Sequence, residues 1–336
     1  MQRGTQKKRA CDVRRLKGRV AGPMSAPTLL LAPMQGITDG IFRDFLTELG
    51  GIDACVSVYA RVSNQPLPAH ALLRTCPEMA SGGCTRHRVP VVLQLLGGDP
   101  ETMAETARRA AEAGAIGIDL NFGCPVARVN RHDGGAALLR DPDRITRIVR
   151  AVRDAVPRAI PVSAKVRAGW SHFDEAPSLA LAVEQGGASL LTMHARTRLQ
   201  QYGGQANWEA IAQAQRAVRI PVVANGDIRS PKDLARCAEQ TGCDRFMIGR
   251  GAVAQPELFR VLTGREQAPW SSSRRLAWLA SYGDACFAKG IPDGGVVGRV
   301  KAIWRYMAEV SAPIAEVFVR ERRRETWSAL RAAMSP

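Results

Sequence analysis

Residues 190–252 read LLTMHARTRLQQYGGQANWEAIAQAQRAVRIPVVANGDIRSPKDLARCAEQTGCDRFMIGRGA. Three short apolar runs rich in β-forming residues, Leu190–His194, Val222–Asn225 and Phe246–Gly249, alternate here with stretches of helical character. Ser230-Pro231 marks a helix start, because a serine side chain caps an orphan amide and a proline in the first turn has no N–H to satisfy; Gly242 marks a stop. Strand, turn, helix and strand in this rhythm build a parallel sheet covered by helices. Working outward, the same rhythm gives strands at Leu29–Met34, Ala54–Val58, Val91–Leu95, Gly117–Leu120 and Val162–Val166. Helix starts fall at Thr38, Asp99-Pro100 and Asp141-Pro142, and stops at Gly50, Gly114 and Gly186. Eight strands close a TIM (β/α)8 barrel of α/β class. A doubly wound open sheet shares the local rhythm, but its GxGxxG fingerprint after the first strand is absent.

After Leu262 no strand follows. Pro269-Trp270-Ser-Ser-Ser opens three helical stretches near 272–289, 294–311 and 313–334, a small all-helical C-terminal domain. The expected division is a basic extension at 1–23, a barrel at 24–268 and the helical domain at 269–336. Eight of the chain's eighteen aromatics lie in the last segment, at helical spacing that suits a core, together with eleven Lys or Arg against six acids. Arg299, Lys301 and Arg305 fall within two turns of one stretch, and Arg320, Arg322, Arg323 and Arg324 sit together on the next, so a phosphate-binding face is geometrically easy.

Composition sets the outer bounds. The 336 residues are 46% apolar and 23% charged, which excludes disordered, collagenous and low-complexity classes. No run approaches the length of a membrane span. A formal net charge of +16 favours a polyanionic partner such as nucleic acid. Eight cations against Asp12 in residues 1–23 supply part of it, and we expect this extension to be a disordered tail or a mis-assigned start preceding Met24. The eight cysteines contain no CxxC pair, and without a secretory signal they read as reduced cytoplasmic thiols; a zinc site on Cys76 and Cys84 is not expected.

In a TIM barrel the chemistry occupies the mouth where strands end, and here those ends are polar. Strand one runs into Pro33-Met34-Gln35-Gly36, strand three carries Gln94, and strand four runs into Asn121-Phe122-Gly123-Cys124-Pro125. Strand five ends at Lys165-Val166-Arg167, strand six at His194-Ala195-Arg196, strand seven at Asn225-Gly226-Asp227 and strand eight at Gly249-Arg250. The last two are where barrels seat a phosphate on backbone amides, with Arg250 adding charge. Lys165 is either a Schiff-base nucleophile or a cation facing an anion. Gln94, donor and acceptor at once, suits the edge of a planar heterocycle. Together these suggest flavin mononucleotide, its reduced anionic ring stabilised by Lys165. Cys124, on a constrained loop near His194, Lys165 and Arg167, suits thiol acid or nucleophile work. Only Asp227 brings a carboxylate to the crater, so no metal site is expected.

The motifs APMQGITD (32–39), QLLG (94–97), DLNFGCP (119–125), GGAALL (134–139), KVRAGW (165–170), HARTRLQQY (194–202), ANGDI (224–228) and MIGRGA (247–252) resemble the tRNA-dihydrouridine synthases. Within that family the segment 58–78 and the pair Arg299/Lys301 with Arg322 look most like the subfamily acting on D-loop position 16. The resemblance implies that Pro33, Met34, Gln35, Gln94, Lys165, His194, Asn225, Gly226, Asp227, Gly249 and Arg250 hold a tightly bound FMN. It further implies that Cys124 is the proton donor, and that Arg61, Asn121, Arg167, Arg299, Lys301, Tyr306 and Arg322 contact tRNA. NADPH would reduce the flavin and leave, after which a flipped uracil takes hydride at C6 and a proton from Cys124 at C5. Phe122 stands where the family carries a small residue, and would crowd or stack on the base. A cytoplasmic monomer is expected. The rival readings are a small-molecule flavin oxidoreductase of the dihydroorotate or dihydropyrimidine type, a Schiff-base aldolase barrel, and a non-catalytic tRNA-binding protein.

Overall fold

The structure, a computed structural model, describes residues 27–131 and 134–334; the basic extension at 1–23 lies outside the described residues. Eight parallel strands close a barrel in sequence order: β1 (Thr28–Leu31), β2 (Ala54–Arg61), β3 (Val91–Leu96), β4 (Ile118–Phe122), β5 (Val162–Arg167), β6 (Leu190–His194), β7 (Val222–Asn225) and β8 (Arg245–Ile248). Closure comes from β1 against β8, with Leu29 opposite Phe246 and Leu31 opposite Ile248. The first strand ends three residues earlier than its apolar run, as the chain turns through Gly36, whose φ of 80° is left-handed.

Side chains alternate across each strand. One parity, including Leu30, Val56, Val92, Leu190, Val223 and Met247, packs as a buried cluster inside the barrel. The other, including Leu29, Leu93, Leu120 and Val166, meets the surrounding helices in the large outer core. Phe122 belongs to this outer set and is fully buried, so it neither crowds nor stacks on anything in the barrel mouth. Helix starts are capped as the sequence suggests: Asp99, Asp141 and Ser230 accept from the amides of Thr102, Arg144 and Asp233. Of the described cysteines, Cys55, Cys76, Cys124, Cys237, Cys243 and Cys286 are free thiols.

C-terminal helices span Ser272–Ala288, Asp293–Ala308, Ala312–Glu321 and Trp327–Ala332. The expected stretch 313–334 is two helices, the second capped by Thr326, whose hydroxyl accepts from the Ala329 amide. Trp278 and Tyr282 pack edge-on against Phe42 of the barrel helix Gly40–Thr47, at centroid distances of 6.2 and 5.7 Å. Beside them, Arg275 Nε and Nη2 donate to Glu257 Oε1 at 3.0 and 2.6 Å, and the Trp270 amide donates to the same oxygen. Both partners are almost wholly buried, so either alone would leave a desolvated charge. Glu257→Ala is therefore expected to lower stability by about 3 kcal/mol or more, read as a fall in the urea midpoint. An unchanged midpoint would show that this pair does not hold the helices to the barrel.

Candidate active site

At the C-terminal end of the barrel the strand ends and loops enclose a cavity of about 540 Å³, within the range of roughly 300–1,000 Å³ typical of ligand sites. Pro33, Met34, Gln35, Gln94, Lys165, His194, Asn225, Gly226, Asp227, Gly249 and Arg250 all line it, as do Cys124, Asn121, Arg167 and Tyr306. Barrel closure sets Gly249 beside β1: a Cβ there would lie 3.3 Å from Ala32 Cβ and 3.4 Å from Met34 Sδ. The remaining expected tRNA contacts lie elsewhere. Arg61 faces a neighbouring cleft with Arg128 and Arg144. Arg299 is ion-paired with Asp39, the carboxylate that also caps the helix Gly40–Thr47. Lys301 is half-buried and Arg322 exposed.

Parity explains the floor and the layer beneath it. Gln94, Asp119, Asn121, Ser163, Lys165, His194 and Asn225 occupy inward positions of consecutive strands, in register: Gln94 opposite Asp119, Asn121 opposite Lys165, His194 opposite Asn225. Lys165 Nζ donates to Asn225 Oδ1 at 3.1 Å, while Asn225 Nδ2 donates to the Met247 carbonyl at 2.7 Å. Burial, then the charge of Arg167, pushes the Lys165 ammonium down to about 8, with Asp119 and Cys124 opposing. Burial also holds His194 well below its ordinary value, reinforced by Lys165, Arg167, Arg196 and Arg250, so the imidazole is neutral at pH 7.

The anion-facing wall follows β7 and β8. Gly226 has a φ of 134°, a conformation glycine adopts without cost, and Asp227 sits at 55°. Asp227 is held there by Arg196 Nη2 at 2.6 Å, the Ala206 amide at 2.9 Å and Arg250 Nη2 at 3.3 Å. Burial alone would raise the Asp227 carboxyl, but these partners outweigh it and hold it below its ordinary range. Asp227 thus orients two arginines. A short helix, Arg250–Ala254, opens beside it, and its first amides have no intrahelical carbonyl to meet.

Cys124 faces the cavity from the loop after β4, nearly buried, with its Sγ 4.0 Å from Tyr59 Oη. Burial first, then Cys124, pushes the Tyr59 phenol up to about 12. Sequence reading missed Tyr59: a register shift against β3 between Val56 and Tyr59 turns it into the mouth against simple alternation. It also missed Tyr202, whose exposed ring lies 5.3 Å from the Arg167 guanidinium and 5.7 Å from that of Arg250. The HARTRLQQY motif contained Tyr202, yet nothing in its spacing set it apart.

A half-buried ammonium, a half-satisfied amide at Gln94, a neutral imidazole and an arginine-oriented strand 7–8 wall form a donor set that fits a planar heterocycle carrying a phosphate. The fold and site define a (β/α)8 barrel with a cation-rich crater and one thiol within it. The chain belongs to the dihydrouridine synthase (Dus) family, which residues 30–287 match, and that family is flavin-dependent in general. It is 50% identical to the tRNA-dihydrouridine(16) synthase of Ralstonia nicotianae, across 88% of this chain and 91% of the relative. With the tRNA-dihydrouridine(16) synthase of Pseudomonas syringae pv. tomato it shares 43% identity, across 89% and 95%. The histamine dehydrogenase structure from Rhizobium sp. 4-9, at 14% identity and a TM-score of 0.55 over 76% of this chain and 48% of that one, shares the fold alone.

Because Lys165 holds its proton less tightly in the folded chain than the ordinary value of 10.5, the unfolded chain binds more protons between about pH 8 and pH 10.5. Stability of the ligand-free protein should therefore rise with pH across that window, and Lys165→Met should remove the rise. Urea midpoints of both proteins measure it; the same slope in each would assign the titration to another group.

Proposed function

We propose that this protein is a tRNA-dihydrouridine synthase that reduces the C5=C6 bond of a D-loop uridine at position 16, with FMN resident in the crater and NADPH as reductant. The observation that carries this reading is the placement of Cys124 and half-buried Lys165 on one cavity, with the thiol on the loop wall and the ammonium on the floor. The names of the relatives supply the substrate and the position.

When bound, a flavin supplies the hydride. The chain's own residues do the rest. Lys165 would stabilise negative charge on a bound flavin ring, and the amides and guanidiniums near Gly226, Gly249 and Arg250 would hold its phosphate. His194, neutral, adds a hydrogen bond without a second charge. Cys124 delivers a proton to C5 of the uracil as C6 accepts hydride. A uridine reaches this cavity only by leaving its stack, and exposed loops make that easier. Tyr306, half-buried on the helix Asp293–Ala308 and lining the cavity, brings an aromatic surface from the C-terminal helices to the place where the nucleotide enters.

The basic face at the helical end serves as the grip on phosphate. Arg322, Arg323 and Arg324 are all exposed, and Lys301 lies on the preceding helix. Domain bounds of 24–268 and 269–336 follow this division of labour between chemistry and RNA docking.

Two measurements test the reading. Cys124→Ala should keep a flavin spectrum and NADPH oxidation while dihydrouridine in tRNA, quantified by mass spectrometry of nucleosides, falls at least about a hundredfold, the usual scale of general acid catalysis. Undiminished dihydrouridine would retire the thiol as proton donor. Lys301→Ala with Arg322→Ala should weaken tRNA binding and reduce the salt slope of log Kd by about one for each phosphate left without its cation.

A further inference from the structure

Below the crater floor lies a carboxylate that none of the chemistry above uses. Asp119 on β4 is 1% exposed. Its Oδ2 accepts from Gln94 Nε2 at 2.7 Å and its Oδ1 from Ser163 Oγ at 2.6 Å. The Gln94 Oε1 in turn accepts from Asn121 Nδ2 at 2.8 Å. Finally, Asn121 Oδ1 accepts from the backbone amides of Gly123 and Cys124, each at 3.0 Å.

These hydrogen bonds form one chain with one direction. The two ends of a Gln or Asn side-chain amide are nearly the same shape, so packing does not choose between them and the hydrogen-bond partners must. Turned the other way, Gln94 would present its oxygen to the Asp119 oxygen and its N–H to the Asn121 N–H. If Asn121 turned to suit, its own N–H would face the Gly123 and Cys124 amides, leaving donors against donors in a buried site. Every link therefore inherits its orientation from the acceptor at the bottom.

We propose that Asp119 is a positioning residue: through Gln94 and Asn121 it fixes the amides of Gly123 and Cys124, which set the place of the thiol together with the bonds that the Cys124 carbonyl accepts from the Ala136 amide and Asn130 Nδ2. This rests on the functional reading above for its meaning, but the geometry it predicts does not need that reading. It also assigns Asn121 and Gln94 a task beyond ligand contact, each keeping one face for the cavity and one for the relay. Burial raises the Asp119 carboxyl above its ordinary value, opposed by the Gln94 and Ser163 hydrogen bonds and by Lys165. Either protonation state keeps Oδ2 an acceptor toward Gln94, since a proton on Oδ1 would face Ser163.

The test reads the thiol directly. In the full-length protein as purified, iodoacetamide labelling of Cys124 is followed by peptide mass spectrometry, with flavin content taken from the visible spectrum and kcat and KM from dihydrouridine formation. Asp119→Leu should speed Cys124 labelling about tenfold or more and lower kcat with little change in KM for tRNA. Asp119→Asn preserves the direction, accepting from Gln94 and donating to Ser163, and should label within about threefold of the parent. Gln94→Glu sets carboxylate against carboxylate and should label fast, whereas Gln94→Glu with Asp119→Asn restores a donor facing an acceptor at each link and should label slowly again.

That rescue separates a relay from general damage and keeps the test decisive if Asp119→Leu fails to fold. Additive effects in the double variant, or parental labelling in both Gln94→Glu and Asp119→Leu, would overturn the proposal. Colourless protein that makes no dihydrouridine yet shows the labelling pattern would refute the functional reading and leave the relay standing.

Discussion

A lysine ammonium half-buried in a barrel, with a neutral amide as its hydrogen-bond partner, is an unfavourable arrangement unless an anion completes it. Lys165 is that ammonium, and the rest of the crater is organised to keep the deficit in place. His194 is neutral, so it adds no competing proton. Asp227 is turned toward Arg196 and Arg250, so that carboxylate neutralises the wall instead of the lysine. Asp119 lies in the layer below and faces Gln94 and Ser163, and Glu309 lines the cavity from the C-terminal helices. What remains is a cavity whose field favours negative charge at its floor and along its β7–β8 side, which matches a heterocycle that gains charge on reduction and carries a phosphate.

The barrel is what makes such a floor possible. Period-two alternation sends Val, Leu and Met inward at the lower layer together with Asp119 and Ser163, and amide, imidazole and ammonium inward at the upper one. Polar groups buried in this way must satisfy one another, and neighbouring strands in register provide the partners at fixed height. The C-terminal helices complete the mouth from outside. Their aromatic contacts with Phe42 and Phe45 and the buried Arg275–Glu257 pair fix them to the barrel, and the Asp39–Arg299 pair joins the same helix start to the basic helix. Tyr306 on that helix reaches the cavity as a consequence of this docking.

Most of the scaffold was legible because it is local. The eight strands and their caps are written in runs of four to eight residues, and the residues at strand ends point to the mouth by the logic of the fold. Where the sequence misled, a non-local term intervened. Phe122 follows Asn121, and alternation alone puts the two on opposite faces, so parity could have removed it from the crater. Tyr59 had no such signal, because a register shift against β3 reverses its parity. Arg299 reads as a free cation until the helix docks and Asp39 meets it. The stretch 313–334 reads as one helix, yet Trp327 must reach Asp293 and Asp284 with its two N–H groups, and the chain breaks at 322–326 to let it.

The same distinction separates two kinds of residue in the site. Lys165, His194 and Asn225 are rigid because strands place them, and their chemistry follows from burial. Cys124 stands on a loop, where neither strand register nor packing of a large side chain holds the backbone. Its immobility has to come from hydrogen bonds: the Cys124 carbonyl accepts from the Ala136 amide and Asn130 Nδ2, and its own amide is tied through Asn121 and Gln94 into the barrel. A proton donor that must meet one carbon of a transiently flipped base needs its position fixed before the base arrives. Rooting the loop in the same polar layer that carries Lys165 gives thiol and ammonium one common frame, so the two sides of the reaction keep their spacing without any contact between them.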